Sequence, residues 1–224
     1  MLIVHHLQRS QSERIVWLCE ELQIPYELKT YARRKDNLLG PPEIKALHAT
    51  GTSPVIQDGP VTLGESAAIA EYILTKYGNG QLVIGPDQPN YADYLYWFHA
   101  SNGYIQPAMM SVMLAEQGGI PADNFITQYI KGTRELSLKM LDDRLKKNEW
   151  LAGEEFTVAD IMVVFPLSTG RLFCPYELKG YEGILAYLKR VGERPGYKRA
   201  MEKGDPGLVP ILGAEAPEPL KAQL

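Results

Sequence analysis

Two serines stand where a short apolar strand leads into the first helix of the chain. Ser10 and Ser12 lie in the stretch HHLQRSQSER, between apolar residues 2–4 and a helical pattern that follows. A turn of this kind gathers unpaired backbone N–H groups and the positive end of a helix dipole. A hydroxyl group there can donate a hydrogen bond to a thiolate and so lower the pKa of the thiol. The alternative is that both serines act only as helix N-caps.

A second candidate site is the stretch GTSPVI at residues 51–56. Pro54 begins a strand directly after a turn, where a proline removes no hydrogen bond from the sheet. A cis bond before Pro54 would expose the backbone N–H and C=O of Ser53. These two groups could then pair with an extended peptide, as an added strand would. The alternative is an ordinary trans proline at a strand edge.

The third candidate site is the stretch LGESAAI at residues 63–69, where a helix begins. The Ser66 hydroxyl and the first N–H groups of this helix form an anion site that suits a carboxylate. Glu65 could pair with an ammonium group beside it. Together the two residues match the two charges of an α-amino acid head group. The alternative is a plain capped helix start.

These three stretches occupy the first of two predicted domains. Residues 1–82 follow the order β-α-β-α-β-β-α, and the strand at residues 26–31 should lie parallel to the first because a helix separates them. Residues 83–90 are rich in turn residues and predict a linker. Residues 91–224 show helical patterns, and a loosely packed tail with four prolines is expected from residue 204 onward. We therefore predict an α/β domain followed by an all-α helical bundle.

Composition narrows the class of protein. The chain has 224 residues, of which 45% are hydrophobic and 22% charged, as in globular proteins. A net charge of −4 gives no general attraction to nucleic acid or anionic lipid, so neither is expected as a partner. No apolar run suggests a membrane span or a signal peptide, and we expect a cytoplasmic protein. The two cysteines, Cys19 and Cys174, form neither a C-x-x-C pair nor a disulfide scaffold, and no metal site is predicted.

The order and spacing of the three stretches resemble the cytosolic glutathione transferase family. The N-terminal half is similar to that family in SQSER, GTSPVI and GESAAIAEYI. The C-terminal half carries WLAG, then FTVAD at residues 156–160, and then RPGY, which resemble the family's helical domain. Within FTVAD, Thr157 and Asp160 predict a capping box at a helix start. The chain looks closest to fungal and bacterial theta-like members of the serine type, which implies a thioredoxin-like first domain that binds glutathione.

The resemblance gives Ser10 the place of the catalytic serine, whose hydroxyl would stabilise the glutathione thiolate. Ser12 is its rival by position. No tyrosine lies between residues 1 and 25, and no cysteine lies before Cys19, so mechanisms based on a tyrosine or a cysteine are not expected. Arg14, in the same helix, could add positive field or could form a surface or interface salt bridge.

The resemblance also implies a set of glutathione-binding residues. The backbone of Ser53, before a cis Pro54, would pair with the cysteinyl part, and Glu65 with Ser66 would hold the γ-glutamyl part. Thr52 stands where many members have lysine, so the cation for the glycyl carboxylate is not identified. The candidates for that cation are Arg33, Lys35 and Lys45.

A second, apolar pocket is implied for the helical domain. Asn102, Tyr104 and Met109 are the predicted residues of a pocket for a small hydrophobic electrophile. Further candidates for its lining, some of which could instead form a subunit interface, are Met110, Met113, Phe173 and Tyr176.

The implied function is that of a glutathione transferase. Glutathione, the co-substrate, would be activated as a thiolate that attacks the electrophile in a detoxification-type conjugation. A homodimer is expected from the family. The alternatives are a glutathione-dependent peroxidase or disulfide reductase on the same scaffold, and a non-catalytic regulatory or carrier protein that binds glutathione.

Overall fold

The computed structural model describes residues 1–220, which group into two compact units. The first unit comprises residues 1–83 and 191–210. The second comprises residues 84–190 and, among the described residues, 211–220. The predicted domain limits, and the linker between them, stay a prediction.

A sheet forms the centre of the first unit, and among the described residues it has four strands. The strands are β1 (Leu2–Leu7), β2 (Tyr26–Tyr31), β3 (Val55–Asp58) and β4 (Val61–Gly64). Their spatial order is β2-β1-β3-β4, with β1 parallel to β2 and antiparallel to β3. The parallel pair confirms the prediction from the intervening helix, and β3 and β4, adjacent in the predicted order, form an antiparallel hairpin.

The helices of the described chain alternate with these strands and then continue without them. In chain order they are α1 (Glu13–Leu22), α2 (Pro42–Lys45), α3 (Ser66–Tyr77), α4 (Tyr91–Ala100), α5 (Gln106–Gln117), α6 (Phe125–Leu145), α7 (Val158–Leu167), α8 (Glu182–Glu193) and α9 (Pro195–Gly204). A π-helical turn, Ser101–Ile105, joins α4 to α5. The predicted fold class, a thioredoxin-like α/β domain with a helical domain, is thereby confirmed.

Helix α1 forms because its apolar residues recur at helical spacing on one face. Ile15, Leu18 and Leu22 are all buried. The same helix packs against α9, where the rings of Trp17 and Tyr197 meet edge to face at 4.9 Å. This contact joins α9 to α1, the helix that follows the Ser10 turn.

In the second unit, α7 is buried along its whole length. Its N-terminus carries the predicted capping box, which the structure confirms between Thr157 and Asp160. The Asp160 carboxylate accepts hydrogen bonds from the Thr157 N–H and the Leu151 N–H, each at 2.9 Å. No described helix is both long and apolar enough to cross a membrane.

The prediction of a loose tail holds in part: residues 206–219 form no helix or strand and are mostly exposed, but hydrogen bonds anchor the chain at residues 213–215. The buried guanidinium of Arg171 donates to the carbonyl of Gly213 at 2.8 Å and to the carbonyl of Glu215. The Leu178 N–H donates to Ala214 O at 2.7 Å. Prolines exclude regular structure here, but these donors satisfy the backbone carbonyls that a helix or strand would otherwise pair. Residues 221–224 lie outside the described residues.

Candidate active site

The turn between β1 and α1 brings Ser10 and Ser12 into hydrogen-bonding contact. Their Oγ atoms are 2.7 Å apart, and the Ser12 N–H donates to Ser10 Oγ at 3.2 Å. Ser12 forms no side-chain cap hydrogen bond to α1, so its interpretation as a simple N-cap is wrong. Both serines are buried, Ser10 at 6% exposure and Ser12 at 0%, so Ser10 is the one of the pair that retains some exposed surface.

Ser12 is held from behind by β1. Its Oγ accepts from the Leu7 N–H at 3.1 Å and lies 3.2 Å from Leu7 O and 2.7 Å from His6 Nδ1. A hydroxyl has one proton and two lone pairs, so these neighbours and Ser10 use its full hydrogen-bonding capacity. The sequence analysis did not single out His6, because a histidine in a short apolar strand is more often a core residue than a functional one.

Ser53 lies beside this turn. The Ser53–Pro54 peptide bond is cis, as the resemblance implies. The Gln11 side chain donates from Nε2 to Ser53 O at 3.1 Å, and the Leu7 N–H donates to Ser53 Oγ at 3.4 Å. The second candidate stretch is therefore joined to the first through Gln11, which the sequence analysis did not single out.

The start of α3 joins the same group through Arg14. The Arg14 guanidinium donates from Nη1 to Ser66 Oγ at 3.4 Å. Arg14 is 1% exposed, which excludes a surface salt bridge, one of the alternatives considered for this residue. Burial lowers the pKa of Arg14 to about 10, although the negative charges of Glu13 and Glu65 act to raise it. The side chain therefore remains a cation at neutral pH. A buried cation and the positive end of α3 together favour an anion at Ser66.

Glu65 precedes α3 in an uncommon backbone conformation. Its φ angle is 70°, a region that residues other than glycine seldom adopt. Its side chain accepts a hydrogen bond from the Ala67 N–H at 3.3 Å, and the residue is exposed. Strained backbone of this kind persists mainly where surrounding structure enforces it, often at ligand sites. The conformation supports Glu65 as a member of the site.

The candidates for a glycyl-binding cation have different surroundings. Arg33 donates to the main-chain oxygens of Gln8, Arg9 and Leu38 at 2.6–3.1 Å, and burial lowers its pKa to about 10. Its guanidinium therefore holds the backbone around the Ser10 turn. Lys35 and Lys45 are exposed. Thr52 is exposed and donates to Thr50 Oγ1 at 3.0 Å.

Neither cysteine is placed to act as a thiolate. Burial raises the pKa of Cys19, and burial with the nearby charge of Glu116 raises the pKa of Cys174. Within residues 1–220, no group of three or more His, Cys, Asp or Glu side chains is arranged to hold a metal ion.

The second unit contains an apolar cleft. Predicted residues that line it are Met109, Met110, Met113, Phe173 and Tyr176. Phe165 and Cys174 also line it. Asn102 and Tyr104 lie instead in the π-helical turn that precedes α5, and they are not among the lining residues. π-Helical turns are frequent at functional sites.

Comparison with known proteins shows which family this chain resembles. Residues 9–76 match the model of the glutathione S-transferase N-terminal domain, and residues 128–195 match that of the C-terminal domain. Glutathione S-transferase 3 of Schizosaccharomyces pombe is 33% identical over 215 residues, covering 91% of this chain and 88% of that protein. The chain belongs to the glutathione S-transferase family.

Two further relatives of this glutathione S-transferase show how widely the likeness extends. Glutathione S-transferase 1 of Saccharomyces cerevisiae is 27% identical, with 89% of this chain and 94% of that protein covered. A solved glutathione S-transferase from Actinobacillus pleuropneumoniae superposes with a TM-score of 0.83 at 32% identity, covering 92% of this chain and 93% of that one. The N-terminal match includes Ser10, Ser53 and Ser66, one from each candidate stretch.

Proposed function

We propose that this glutathione transferase activates glutathione as a thiolate through the hydroxyl of Ser10. The observation that carries the proposal is the arrangement of the two serines. Ser12 is fully buried and surrounded by four hydrogen-bonding neighbours, whereas Ser10, at the start of the turn, retains 6% exposure. A donor for an incoming sulfur must be accessible, and Ser10 meets that condition better than its rival Ser12.

Glutathione, the co-substrate, would bind along the edge formed by the three stretches. Its γ-glutamyl carboxylate would meet Ser66 and the helix N-terminus, with the Arg14 cation behind, and its ammonium group would meet the exposed Glu65 carboxylate. Its cysteinyl backbone would pair with the N–H and C=O groups of Ser53, in the manner of an added strand. Three separate chain segments thereby bind one small peptide, and the hydrogen bonds of Gln11 and Arg14 support their mutual placement.

Serine-type activation of this kind agrees with assignment to the theta-like members. Tyrosine-type activation finds no support, because no tyrosine lies in or before the Ser10 turn. Cysteine-type activation is disfavoured because the pKa of Cys19 is raised by burial.

The electrophile is proposed to be small and hydrophobic. The cleft in the second unit supports this, because methionines and aromatic rings line it and flexible thioethers adapt to varied apolar ligands. Met109 is the predicted pocket residue that the cleft includes. The proposed roles of Asn102 and Tyr104 rest on their place in the π-helical turn before α5.

A homodimer is proposed from the exposed apolar side chains of the second unit. Leu114 on α5 is 61% exposed, and Tyr129 and Leu136 on α6 are 68% and 57% exposed. Large apolar groups that gather on neighbouring helices favour association with another surface. An isologous contact with a second copy would cover them.

The test of Ser10 is a pH titration of the ultraviolet absorbance of glutathione thiolate bound to the enzyme. We expect the parent to lower the thiol pKa by about two units, equivalent to about 2.7 kcal/mol of preference for the thiolate. Ser10→Ala should lose most of that shift, while Ser10→Thr, which keeps a hydroxyl, should retain part of it. A bound thiol with an unshifted pKa in the parent would contradict the transferase mechanism and favour a carrier role. A shifted thiol pKa with reduction of peroxides or disulfides, and no conjugation, would favour the reductase alternative.

A further inference from the structure

Ser10 is the outer end of a buried chain of hydrogen bonds. From Ser10 Oγ the chain runs 2.7 Å to Ser12 Oγ, then 2.7 Å to His6 Nδ1. From His6 Nε2 it runs 3.1 Å to Asp205 Oδ2, directly after α9. His6 and Ser12 are fully buried, Asp205 is 4% exposed and Ser10 is 6% exposed. Four polar groups thus form one line from the proposed thiolate site into the interior of the first unit.

The direction of the protons along this line follows from the groups at its ends. A carboxylate only accepts hydrogen bonds, so His6 must carry its proton on Nε2 to donate to Asp205. In a neutral imidazole, Nδ1 is then an acceptor. Ser12 has one hydroxyl proton and two acceptors within reach, and it donates to His6 Nδ1 at 2.7 Å in preference to Leu7 O at 3.2 Å. Because the Ser12 proton is committed to His6, Ser12 Oγ accepts the proton of Ser10. Ser10 Oγ is left to accept from a donor outside the chain.

A thiol that binds beside Ser10 is such a donor. We propose that this chain receives the proton of the glutathione thiol, with His6 as the final proton acceptor and Asp205 as the residue that positions it. The S–H bond breaks and leaves its electron pair on sulfur. The thiol proton moves to Ser10 Oγ, the Ser10 proton to Ser12 Oγ, and the Ser12 proton to His6 Nδ1, where a new N–H bond forms. The products are a thiolate and an imidazolium, so charge and protons balance.

The rearranged chain also stabilises the product. After transfer, Ser10 donates to the thiolate, Ser12 donates to Ser10, and His6 donates to both Ser12 and Asp205. The role proposed for Ser10 as thiolate donor is therefore the end state of the same transfer. The inference rests on that proposed function, and it adds the destination of the proton.

Two features hold Asp205 and His6 in this arrangement. Asp205 Oδ1 accepts the Arg9 N–H at 2.7 Å, and the charge of Arg33 also acts on this carboxylate. Gly204 lies so close to His6 that a Cβ there would be 3.0 Å from Nε2. A side chain at position 204 would push the ring and α9 apart, so glycine permits the close approach.

The Arg9 contact predicts what Asp205→Asn does. The single amide oxygen of asparagine would be taken by the Arg9 N–H, which leaves the NH₂ group facing His6 Nε2. That favours the tautomer with the proton on Nδ1, which cannot accept from Ser12. The chain would be broken with little change in volume.

The experiment measures thiolate and released protons together, on the parent enzyme with glutathione at neutral pH. Ultraviolet absorbance gives the thiolate formed per site, and calorimetry in two buffers of different ionisation enthalpy gives the protons released. We expect thiolate to form in the parent with far fewer protons released than thiolates formed, because His6 retains them. A proton released for each thiolate formed would overturn the inference while leaving the role of Ser10 intact. Absence of thiolate in the parent would instead refute the proposed function on which the inference rests.

Variants test the same point independently. His6→Gln keeps a donor for Asp205 but cannot take up a proton, and we expect its thiolate fraction to fall at least about tenfold. Asp205→Asn should behave similarly. His5→Gln is the matched control, because His5 is an equally buried neighbour on β1, bonded to Tyr31 and Gln57 instead. The thiolate fraction of His5→Gln should equal that of the parent.

A ligand control separates binding from proton transfer. S-Methylglutathione, which has no thiol, should bind parent and His6→Gln equally. Equal thiolate fractions in parent and His6→Gln would overturn the inference.

Discussion

Replacement of Asp160 by alanine should destabilise the fold strongly without altering glutathione chemistry. The carboxylate is fully buried and accepts from the N–H groups of Leu151 and Thr157, each at 2.9 Å, and from Thr157 Oγ1 at 3.3 Å. Both backbone donors belong to buried residues, so alanine would leave them without an acceptor. Each orphaned donor costs about 1–3 kcal/mol, and the capping-box bond is the one that the Thr157 N–H donates, so it is already counted. We expect a loss of about 2–6 kcal/mol in the free energy of unfolding at neutral pH.

The same replacement has a pH signature. Burial raises the pKa of Asp160 to about 6 from 3.8, outweighing the hydrogen bonds that it accepts. A carboxyl group with a raised pKa in the fold contributes stability that is present below its unfolded pKa and is lost as pH rises through 6. The parent therefore gains about 1 kcal/mol from this group between pH 7 and pH 5, and the alanine variant does not. The penalty of Asp160→Ala should be larger at pH 5 by that amount.

The assay is urea unfolding followed by circular dichroism at both pH values. Asp143→Ala is the control, because Asp143 is a half-exposed carboxylate on α6 whose salt bridge to Lys139 faces solvent, and its stability should not change measurably. A loss below about 1 kcal/mol for Asp160→Ala would refute the reasoning from orphaned donors. Equal penalties at pH 5 and pH 7 would refute the raised pKa.

Three further outcomes are expected. Ser66→Ala should weaken glutathione binding about tenfold, because a hydrogen bond to a carboxylate is worth about 1.5–3 kcal/mol. Unchanged affinity by calorimetry would contradict the proposed carboxylate site. Hydrogen bonds from Lys76 and the tyrosines beside it lower the pKa of Asp58 to about 2. Asp58 should therefore contribute stability above pH 4 that is lost as pH falls through 2. In Asp58→Asn, the free energy of unfolding should fall by about 1 kcal/mol less than in the parent as the solution is acidified; the figure is small because Lys76 is half exposed. An equal loss of stability on acidification in both proteins, measured by urea titration, argues against this. Leu114→Glu should convert a dimer to a monomer in sedimentation velocity, whereas Val209→Glu, at an exposed position of the first unit, should not; a monomeric parent rejects the proposed dimer.

Local sequence signals predict most of the elements. The alternating pattern of residues 26–31 and the apolar spacing of α1 identify a strand and a helix because each depends on neighbours within a few residues. The capping box at Thr157 and Asp160 is equally local, since its two members are three residues apart. The α4–α5 region shows a helical pattern throughout, but the structure inserts a π-helical turn at Ser101–Ile105. A π-helical turn adds only about one residue to a helical turn, so the spacing of apolar residues on either side barely changes and does not indicate it.

The sequence by itself determined the order of the chemical motifs, the family they resemble and the fold class, because these depend on short-range spacing. The tertiary structure decided which of those motifs have partners. Arg14 becomes a buried cation at Ser66 only because α1 and α3 pack together. His6 and Asp205 meet across 199 residues of sequence because α9 returns to α1. Contacts of that range depend on which faces of distant elements bury each other, and no local pattern of residues encodes that choice.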